Sequence, residues 1–423
     1  MTRHQDDDTG PAQAAISVAR SAELLARARH VDAGLLARPG ILGLGSADGS
    51  GQVPVFAECA QGPYVWDVDG NRYIDFVLAF GAVVLGHADP RVTVPVKAEL
   101  ARGVSPSMHR SVQVELAELL VSVIPGAEMA LLLKTGSDAT TAAVRLARAH
   151  TGKSHVLRWG YNGWHEWCAS QATGLSPGVQ DYVEQIEYNN LPALERALSR
   201  RGPDVACVIM MPLEVELPRP GFLAAARALT HRHGALFILD EVRSGFRLAL
   251  GGAQQYFGVR ADLVALSKAM ANGHPISAVV GRRDVLDATR RVSLSSLFFR
   301  SGDGMAAALA TIGIIRDGNV IDVLWERGRQ LLAGLRQAAA RRGVPVELVG
   351  LPPMPFQVFR GLSSRRCEAA QRVFCAAARD RGALFHPTHQ WFTCAAMSSE
   401  DIALAVEAAD AGYAAVVRSI GVA

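Results

Sequence analysis

The 423-residue chain has few lysines for its size. Of its 43 basic residues only four are lysines: Lys97, Lys134, Lys153 and Lys268. A coding bias toward arginine is the simplest explanation of the total. The shortage still has a chemical consequence, because any reaction that needs a side-chain amine must use one of these four residues.

Other absences exclude whole classes of protein. The net charge is only +3 and no basic cluster is present, so nothing indicates a nucleic-acid partner. The longest apolar stretch, 76–85, is interrupted by Gly81 and is about half as long as a membrane span. The six cysteines form no C-x-x-C pair, and the polar, acidic start does not resemble a signal peptide. We therefore expect a soluble cytoplasmic protein with reduced thiols and no metal, nucleic-acid or membrane partner.

The chain is typical of a globular protein with an ample core, since 49% of its residues are hydrophobic and 20% are charged. Residues 1–12 are expected to be disordered, 13–38 have helical spacing, and 39–54 form a Gly/Ser-rich loop. The GLGSADG string in that loop follows no strand, so it does not predict a dinucleotide site. Residues 64–76 predict a β-hairpin with its turn at 69–71.

The middle of the chain, from about 110 to 315, alternates short apolar strands with amphipathic helices. Fully apolar runs such as Cys207–Met211 and Leu236–Leu239 suit strands that are buried on both faces. This pattern predicts a parallel sheet with crossover helices. After residue 316 two long Arg-rich helices (316–342 and 364–382) and a final helix from 399 predict a smaller α+β domain.

The first segment that could take part in chemistry begins at Lys134. A buried strand runs through Thr135-Gly136-Ser137 into a strongly helical stretch. The free N–H groups of that helix start would suit a phosphate, and glycine allows close backbone approach. A simple Ser/Asp N-cap without any ligand explains the same residues.

The second segment is the aromatic loop 158–167, RWGYNGWHEW. Its flat rings among glycines could stack on a planar cofactor or on the apolar face of a sugar. Packing of the loop onto the core is the alternative. A zinc-protease motif is excluded, because Ala169 stands four residues after His165.

Two further segments place charged groups at the ends of buried strands. Asp240 and Glu241 follow one apolar strand, where open α/β sheets carry ligand groups. Lys268 follows another, where desolvation of its ammonium would make the amine a nucleophile. Either strand end could equally be solvated and without function.

The order of these segments matches the needs of pyridoxal phosphate (PLP). This cofactor needs an amine for its aldehyde, a carboxylate for its ring nitrogen, an aromatic stacker and a phosphate cradle. Here a helix N-terminus, an aromatic loop and Asp240 precede Lys268, which lies 28 residues after Asp240.

The sequence resembles the class-III (fold type I) PLP-dependent aminotransferases, in the branch that includes glutamate-1-semialdehyde aminomutase. The resemblance covers roughly 50–412 and includes PYVWDVDGNRYIDF, TGSDATTAAVRLARAHTGK, ALFILDEVRSGFR and ADLVALSKAMANGHPISAVVG. It implies an α/β fold with a large PLP-binding domain (76–315) that has a mostly parallel seven-stranded sheet. The smaller α+β domain would comprise 316–423, with the N-terminal segment 1–75 contributing to it. A homodimer with its active site at the subunit interface is implied as well.

The resemblance also implies roles for individual residues. Lys268 would form the Schiff base and carry the proton, and Asp240 would pair with the pyridinium nitrogen. The other implied contacts are Val242 and Tyr161 on the ring, Gly136 and Ser137 on the phosphate, Asn162 where the family usually has histidine, and Phe80 facing the substrate.

The chain departs from the family at several positions. The usual Glu-Pro is Met211-Pro212, and Leu297 replaces the threonine that reaches the phosphate of the neighbouring subunit. Ser295 and Ser296 are adjacent to it, and Ser296 is expected to contact the cofactor. The usual Ala-His-Thr near the C-terminus is Ala396-Met397-Ser398.

For the substrate, the sequence favours an amino sugar. The loop resembles that of amino-sugar aminotransferases of aminoglycoside biosynthesis, and Trp164 and Trp167 could stack on a sugar ring. Carboxylates such as Glu166, Glu214 or Glu216 could pair with its ammonium groups. If the same loop is generic to this branch of the family, it does not indicate a sugar substrate.

Other reactions stay open at this point. A PLP-dependent epimerase and a 2,1-aminomutase of a 4-amino-5-oxo acid use the same first steps. A binding protein that has lost catalysis is disfavoured by Lys268 and Asp240. A nicotinamide-dependent oxidoreductase is disfavoured because no G-x-G-x-x-G follows a strand.

Overall fold

The computed structural model describes residues 17–34 and 56–421. The expected disordered stretch 1–12 and the Gly/Ser-rich stretch 39–54, with its GLGSADG string, lie outside these ranges. The expected N-terminal helix is present within 13–38, as α1 over Ala19–Ala28.

The strands of the described residues belong to three sheets. In chain order they are β1 Ala57–Gln61, β2 Tyr64–Asp67, β3 Arg72–Asp75, β4 Met129–Leu133, β5 His155–Trp159, β6 Val183–Gln185, β7 Val205–Met210, β8 Leu236–Asp240, β9 Leu263–Leu266, β10 Ser277–Gly281, β11 Val346–Leu351, β12 Met354–Phe359 and β13 Ala383–Leu384.

The α-helices cover these sheets. After α1 they are α2 Pro90–Ala101, α3 Ser111–Val123, α4 Gly136–Thr151, α5 Leu191–Arg201, α6 Phe222–Arg232, α7 Gly252–Tyr256, α8 Arg283–Leu286, α9 Gly302–Asp317, α10 Val320–Arg341, α11 Ser364–Arg379 and α12 Ser399–Ile420. Within the described ranges no helix combines the length and the apolarity that crossing a bilayer requires.

The central sheet has seven strands in the order β4-β10-β9-β8-β7-β5-β6. Strand β10 runs antiparallel to both neighbours, and the remaining pairs are parallel. Every residue of β7, β8 and β9 is buried, because helices cover both faces of the sheet. The prediction of an α/β fold with a mostly parallel sheet is confirmed.

The predicted hairpin is also present, as β2 and β3. Asp67 stabilises its turn, since Oδ1 accepts hydrogen bonds from the amides of Asp69 (3.0 Å) and Asn71 (2.8 Å). Strand β13 adds to β3 in parallel, so the hairpin near the N-terminus shares a sheet with the C-terminal region. Helices α10, α11 and α12 pack on this side around a second apolar core.

A left-handed turn follows β3. Leu78, Ala79, Phe80 and Gly81 have φ values of 46°, 51°, 57° and 87°. Left-handed backbone costs roughly 1–2 kcal/mol for each residue other than glycine, so the surroundings must hold this turn in place. Asp75 does part of this, because its Oδ1 accepts hydrogen bonds from the amides of Val77 (2.8 Å) and Leu78 (2.9 Å).

The approach of α7 to the end of β8 gives a prediction about stability. Gly252 has φ +75°, and a Cβ there would lie 2.3 Å from Oε2 of the buried Glu241. That carboxylate accepts hydrogen bonds from the amides of Ala253 and Gln254, so it cannot move away freely. We expect Gly252→Ala to lower the free energy of unfolding by about 3 kcal/mol, measured by urea denaturation.

Gly313→Ala is the matched control. Gly313 lies inside α9, where a Cβ would meet nothing within 4 Å. Replacing a helical glycine should raise the free energy of unfolding by about 0.5–1 kcal/mol. A Gly252→Ala protein as stable as the wild type would show that Glu241 and its partners can rearrange.

Candidate active site

A cavity of about 270 Å³ lies at the carboxyl ends of the central parallel strands. The segments that follow β5, β8 and β9 each contribute residues to it, as expected for ligand sites of open α/β sheets. The N-terminus of α4 forms another wall. Predicted site residues that line this cavity are Gly136, Ser137, Tyr161, Asn162, Trp164, Asp240, Val242 and Lys268.

The start of α4 presents free backbone amides to the cavity. Thr135 and Asp138 form a capping box that engages each other's amide groups. The amides of Gly136 and Ser137 lie in the first turn, where N–H groups have no carbonyl acceptor within the helix. A Cβ on Gly136 would lie 2.8 Å from Cγ1 of Val242, so only glycine allows this close packing.

The aromatic loop is divided between the core and the cavity. Trp167 is buried, and its Nε1 donates to Oγ1 of Thr141 on α4 (2.8 Å). Thr140 Oγ1 donates to the carbonyl of Asn162 (2.6 Å), which fixes the middle of the loop. Trp164 is 70% exposed at the rim of the cavity. One loop therefore packs on the core through Trp167, which is too buried for the expected stacking on a sugar, and lines the cavity through Trp164.

Asp240 is a buried carboxylate directed at the cavity. Its Oδ2 accepts a hydrogen bond from Nδ2 of Asn162 (2.9 Å), and its Oδ1 accepts one from the amide of Val242 (3.2 Å). Burial raises the pKa of Asp240, while these hydrogen bonds oppose the rise. The site therefore favours a cationic or proton-bearing partner opposite the carboxylate. Oδ1 of Asn162 is buried without a hydrogen-bond partner among the described residues.

Lys268 lies in the same cavity, at the start of a 3₁₀ turn that follows β9. Its own φ is 49°, a left-handed conformation that is rare for lysine. Burial lowers the pKa of Lys268 to about 7, and the charge of Arg243 adds to the effect while Asp240 opposes it. A large fraction of this lysine is therefore a neutral, nucleophilic amine near neutral pH.

These residues fit the PLP that the resemblance implies. Unpaired amides at a helix N-terminus suit a phosphate, and a buried carboxylate suits a protonated ring nitrogen. An amine of lowered pKa suits the aldehyde.

Other predicted residues lie outside this cavity in the single chain. Phe80 instead contacts two histidines of the C-terminal region, with its ring centroid 5.4 Å from that of His386 and 4.9 Å from that of His389. Glu166 is exposed and does not line the cavity. Ser296 is half-buried beside Leu297, which is 70% exposed, and neither lines the cavity.

Glu214 lies close to the cavity but beside a cation. Its Oε1 is 3.4 Å from Nη2 of Arg243, which does line the cavity. Arg243 was not predicted from the sequence, although it follows the Asp-Glu-Val string directly. His389 and Gln390 were not predicted either, because they approach from the C-terminal region and no local sequence pattern marks them.

The lowered pKa of Lys268 predicts a pH-dependent effect of its removal. Between about pH 7 and about pH 10.5 the unfolded chain binds more protons at this residue than the folded chain. The stability contributed by this position therefore rises with pH across that window and is lowest below it. We expect Lys268→Met to stabilise the cofactor-free protein strongly near pH 6 and much less near pH 10, measured by urea denaturation.

Lys97→Met is the matched control, since Lys97 is an exposed lysine of α2. It should change the unfolding free energy little at either pH. An equal gain from Lys268→Met at both pH values would contradict the burial of an amine with a lowered pKa.

Known proteins resemble the chain over most of its length. The sequence model of the family described as aminotransferase class-III matches residues 46–408. The 3-aminobutyryl-CoA aminotransferase of Cloacimonas acidaminovorans is 37% identical, over 85% of this chain and 88% of its own. The glutamate-1-semialdehyde 2,1-aminomutase of Syntrophobacter fumaroxidans is 36% identical, over 85% of this chain and 90% of its own.

A solved structure shows the same architecture. The FumI protein of Sphingopyxis sp. MTA144, in its PLP internal aldimine form, superposes with a TM-score of 0.88. The two chains are 30% identical, and the match covers 95% of this chain and 97% of the other.

Proposed function

The chain belongs to the class-III aminotransferases, fold type I enzymes that use PLP, and we propose that it exchanges an amine and a carbonyl through Lys268. The observation that carries the proposal is the position of Lys268 and Asp240 in one cavity beside the free amides of α4. The predicted cofactor residues Gly136, Ser137, Tyr161, Asn162 and Val242 line the same cavity.

When bound, PLP supplies an aldehyde that condenses with amines and a ring that accepts electrons. The residues of the chain hold it and move the proton. The amides of Gly136 and Ser137 would bind the phosphate, and Asp240 would keep a proton on the ring nitrogen. Asn162 orients Asp240 through its hydrogen bond, as a second layer of the site.

Lys268 would attach the cofactor covalently and then act as general base and acid. A proton carrier works best when its pKa lies near the working pH, and Lys268 has a pKa of about 7. Burial of the amine is the main cause of this lowered pKa.

Covalent attachment gives the first test of function. Purified protein with added PLP should show visible absorbance, and borohydride should fix the cofactor to the peptide that contains Lys268, identified by mass spectrometry. Lys268→Ala should abolish both the fixation and amino transfer, whereas Lys97→Ala should retain them. Full activity of Lys268→Ala would refute the proposal.

We propose, from sequence and cavity together, an amino sugar as one candidate substrate. Support comes from Trp164, whose exposed indole stands at the rim of the cavity. The acids provide less support. Glu166 lies away from the cavity, Glu216 accepts a hydrogen bond from Asn189 (2.6 Å), and Glu214 faces Arg243.

The second candidate is the 2,1-aminomutase reaction on a 4-amino-5-oxo acid. Its support is the 36% identity with an enzyme of that name over 85% of the chain. Both candidates share the cofactor and Lys268, and they differ in the charge of the substrate.

A trial with two compounds separates these candidates. The enzyme is offered an aminoglycoside and a 4-amino-5-oxo acid, and conversion of the cofactor to its amine form is followed by absorbance. Conversion by the aminoglycoside, reduced at least 10-fold by Trp164→Ala, is expected for an amino-sugar enzyme. Conversion by the acid alone would exclude the amino-sugar reading.

We also propose that two copies of the chain assemble around this site. Leu297 and its neighbour Phe298 are exposed large apolar side chains, the kind that mark interaction surfaces. The expected phosphate contact by Ser296 requires such a partner, because Ser296 does not line the cavity of its own chain.

A further inference from the structure

Arg243 is a cation in the candidate active site that the cofactor roles do not use. It follows Val242 after β8 and lines the cavity together with Asp240 and Lys268. Only 11% of its side chain is exposed. A guanidinium stays charged at any physiological pH, so the cavity carries a permanent positive charge at this position.

The hydrogen-bonding capacity of Arg243 is largely unused. Of its five N–H donors, two have acceptors among the described residues. Nη1 donates to Oε1 of Gln390 (2.9 Å), and Nη2 approaches Oε1 of Glu214 at the long distance of 3.4 Å. Nε is buried and has no hydrogen-bond partner within 17–34 and 56–421.

Gln390 fixes the guanidinium in place. Its Nε2 donates to the carbonyls of Glu214 (2.9 Å) and Met354 (3.2 Å), so its Oε1 must face Arg243. The neutral side-chain amide of Gln390 thus orients the N–H groups of Arg243 without cancelling the charge of the guanidinium. An oriented guanidinium with free donors is the arrangement that binds a planar carboxylate with two hydrogen bonds.

The anions near Arg243 compensate its charge only in part, since the buried Asp240 acts on it through its charge and only Glu214 lies within ion-pair distance among the described residues. Glu214 is 36% exposed and only weakly paired with Arg243, while Asp240 is bonded to Asn162. His389 nearby adds no charge, because burial and Arg243 lower its pKa to about 3. A buried cation in this state is costly until an anion enters.

We propose that Arg243 binds the carboxylate of the amino acid that donates the amino group, with Glu214 as its weak counter-ion in the absence of that donor. This inference rests on the proposed function and names one of its two substrates by chemical class. It is compatible with either an amino sugar or an oxo acid as the other substrate. A single-turnover experiment tests it on the PLP-bound enzyme.

The experiment compares 3-aminobutanoate with 2-aminobutane, an amine of similar size that lacks the carboxylate. Conversion of the cofactor is followed by absorbance at increasing concentrations of each donor. Arg243→Met should lower the second-order rate constant for 3-aminobutanoate by about 100-fold and change that for 2-aminobutane less than about 3-fold. Glu214→Gln should raise the constant for 3-aminobutanoate and leave the other unchanged.

A binding measurement keeps the inference separate from the proposed function. Butanoate has the carboxylate but no amine, and its dissociation constant is read from the change in cofactor absorbance. Arg243→Met should weaken butanoate at least about 10-fold while 1-butanol is unaffected. This loss of butanoate binding is expected even if the protein binds PLP but turns over neither donor. Absence of turnover would refute the proposed function and leave the inference about Arg243 intact.

The opposite results are equally specific. An equal fall in the rate constants of Arg243→Met for both donors, together with a shift of the cofactor absorbance, would place Arg243 against an oxygen of the cofactor and overturn the inference. Unchanged butanoate binding in Arg243→Met would overturn it as well. Arg243→Lys distinguishes charge from geometry, because lysine keeps the charge but cannot form the two-toothed contact.

Discussion

A buried guanidinium, that of Arg247, joins the parts of the molecule on which the candidate active site depends. It has no carboxylate partner among the described residues and donates instead to the carbonyls of Gly81 (2.8 Å), Thr393 (2.8 Å) and Pro353 (3.3 Å). Its charge also lies over the ring of Phe392, 4.9 Å from the centroid. Burial lowers its pKa to about 10, which still leaves it charged. Arg247, which follows β8, thereby holds both the left-handed turn and the C-terminal region.

That linkage explains why the cavity combines groups from distant parts of the sequence. The left-handed turn brings Phe80 against His389, and the segment after β13 brings Gln390 against Arg243. Neither contact could form if the C-terminal region were displaced from the large sheet. The cofactor residues of the cavity come from the strand ends, the aromatic loop and the N-terminus of α4, whereas the position of Arg243 also depends on Gln390 of the C-terminal region.

The sequence predicts the cofactor residues better than it predicts the residues around Arg243. Asp240, Lys268 and the Gly136-Ser137 turn could be predicted because each directly follows an apolar strand, and strand ends of a parallel sheet converge. Gln390 could not be found this way, because its position depends on the packing of the C-terminal region and not on local pattern. The acids show the same limit, since spacing could not reveal that Glu214 faces Arg243 or that Glu166 lies outside the cavity.

The pairing of β13 with β3 has a consequence for biosynthesis. Ala383 lies opposite Ile74, so β3 acquires this neighbouring strand only after the chain has been synthesised as far as β13. The seven strands of the central sheet are complete by Gly281 and can pair earlier. Contacts so distant along the chain form late and slowly in folding. A nascent chain would therefore hold a complete large sheet beside a hairpin in which β3 still lacks its second neighbouring strand.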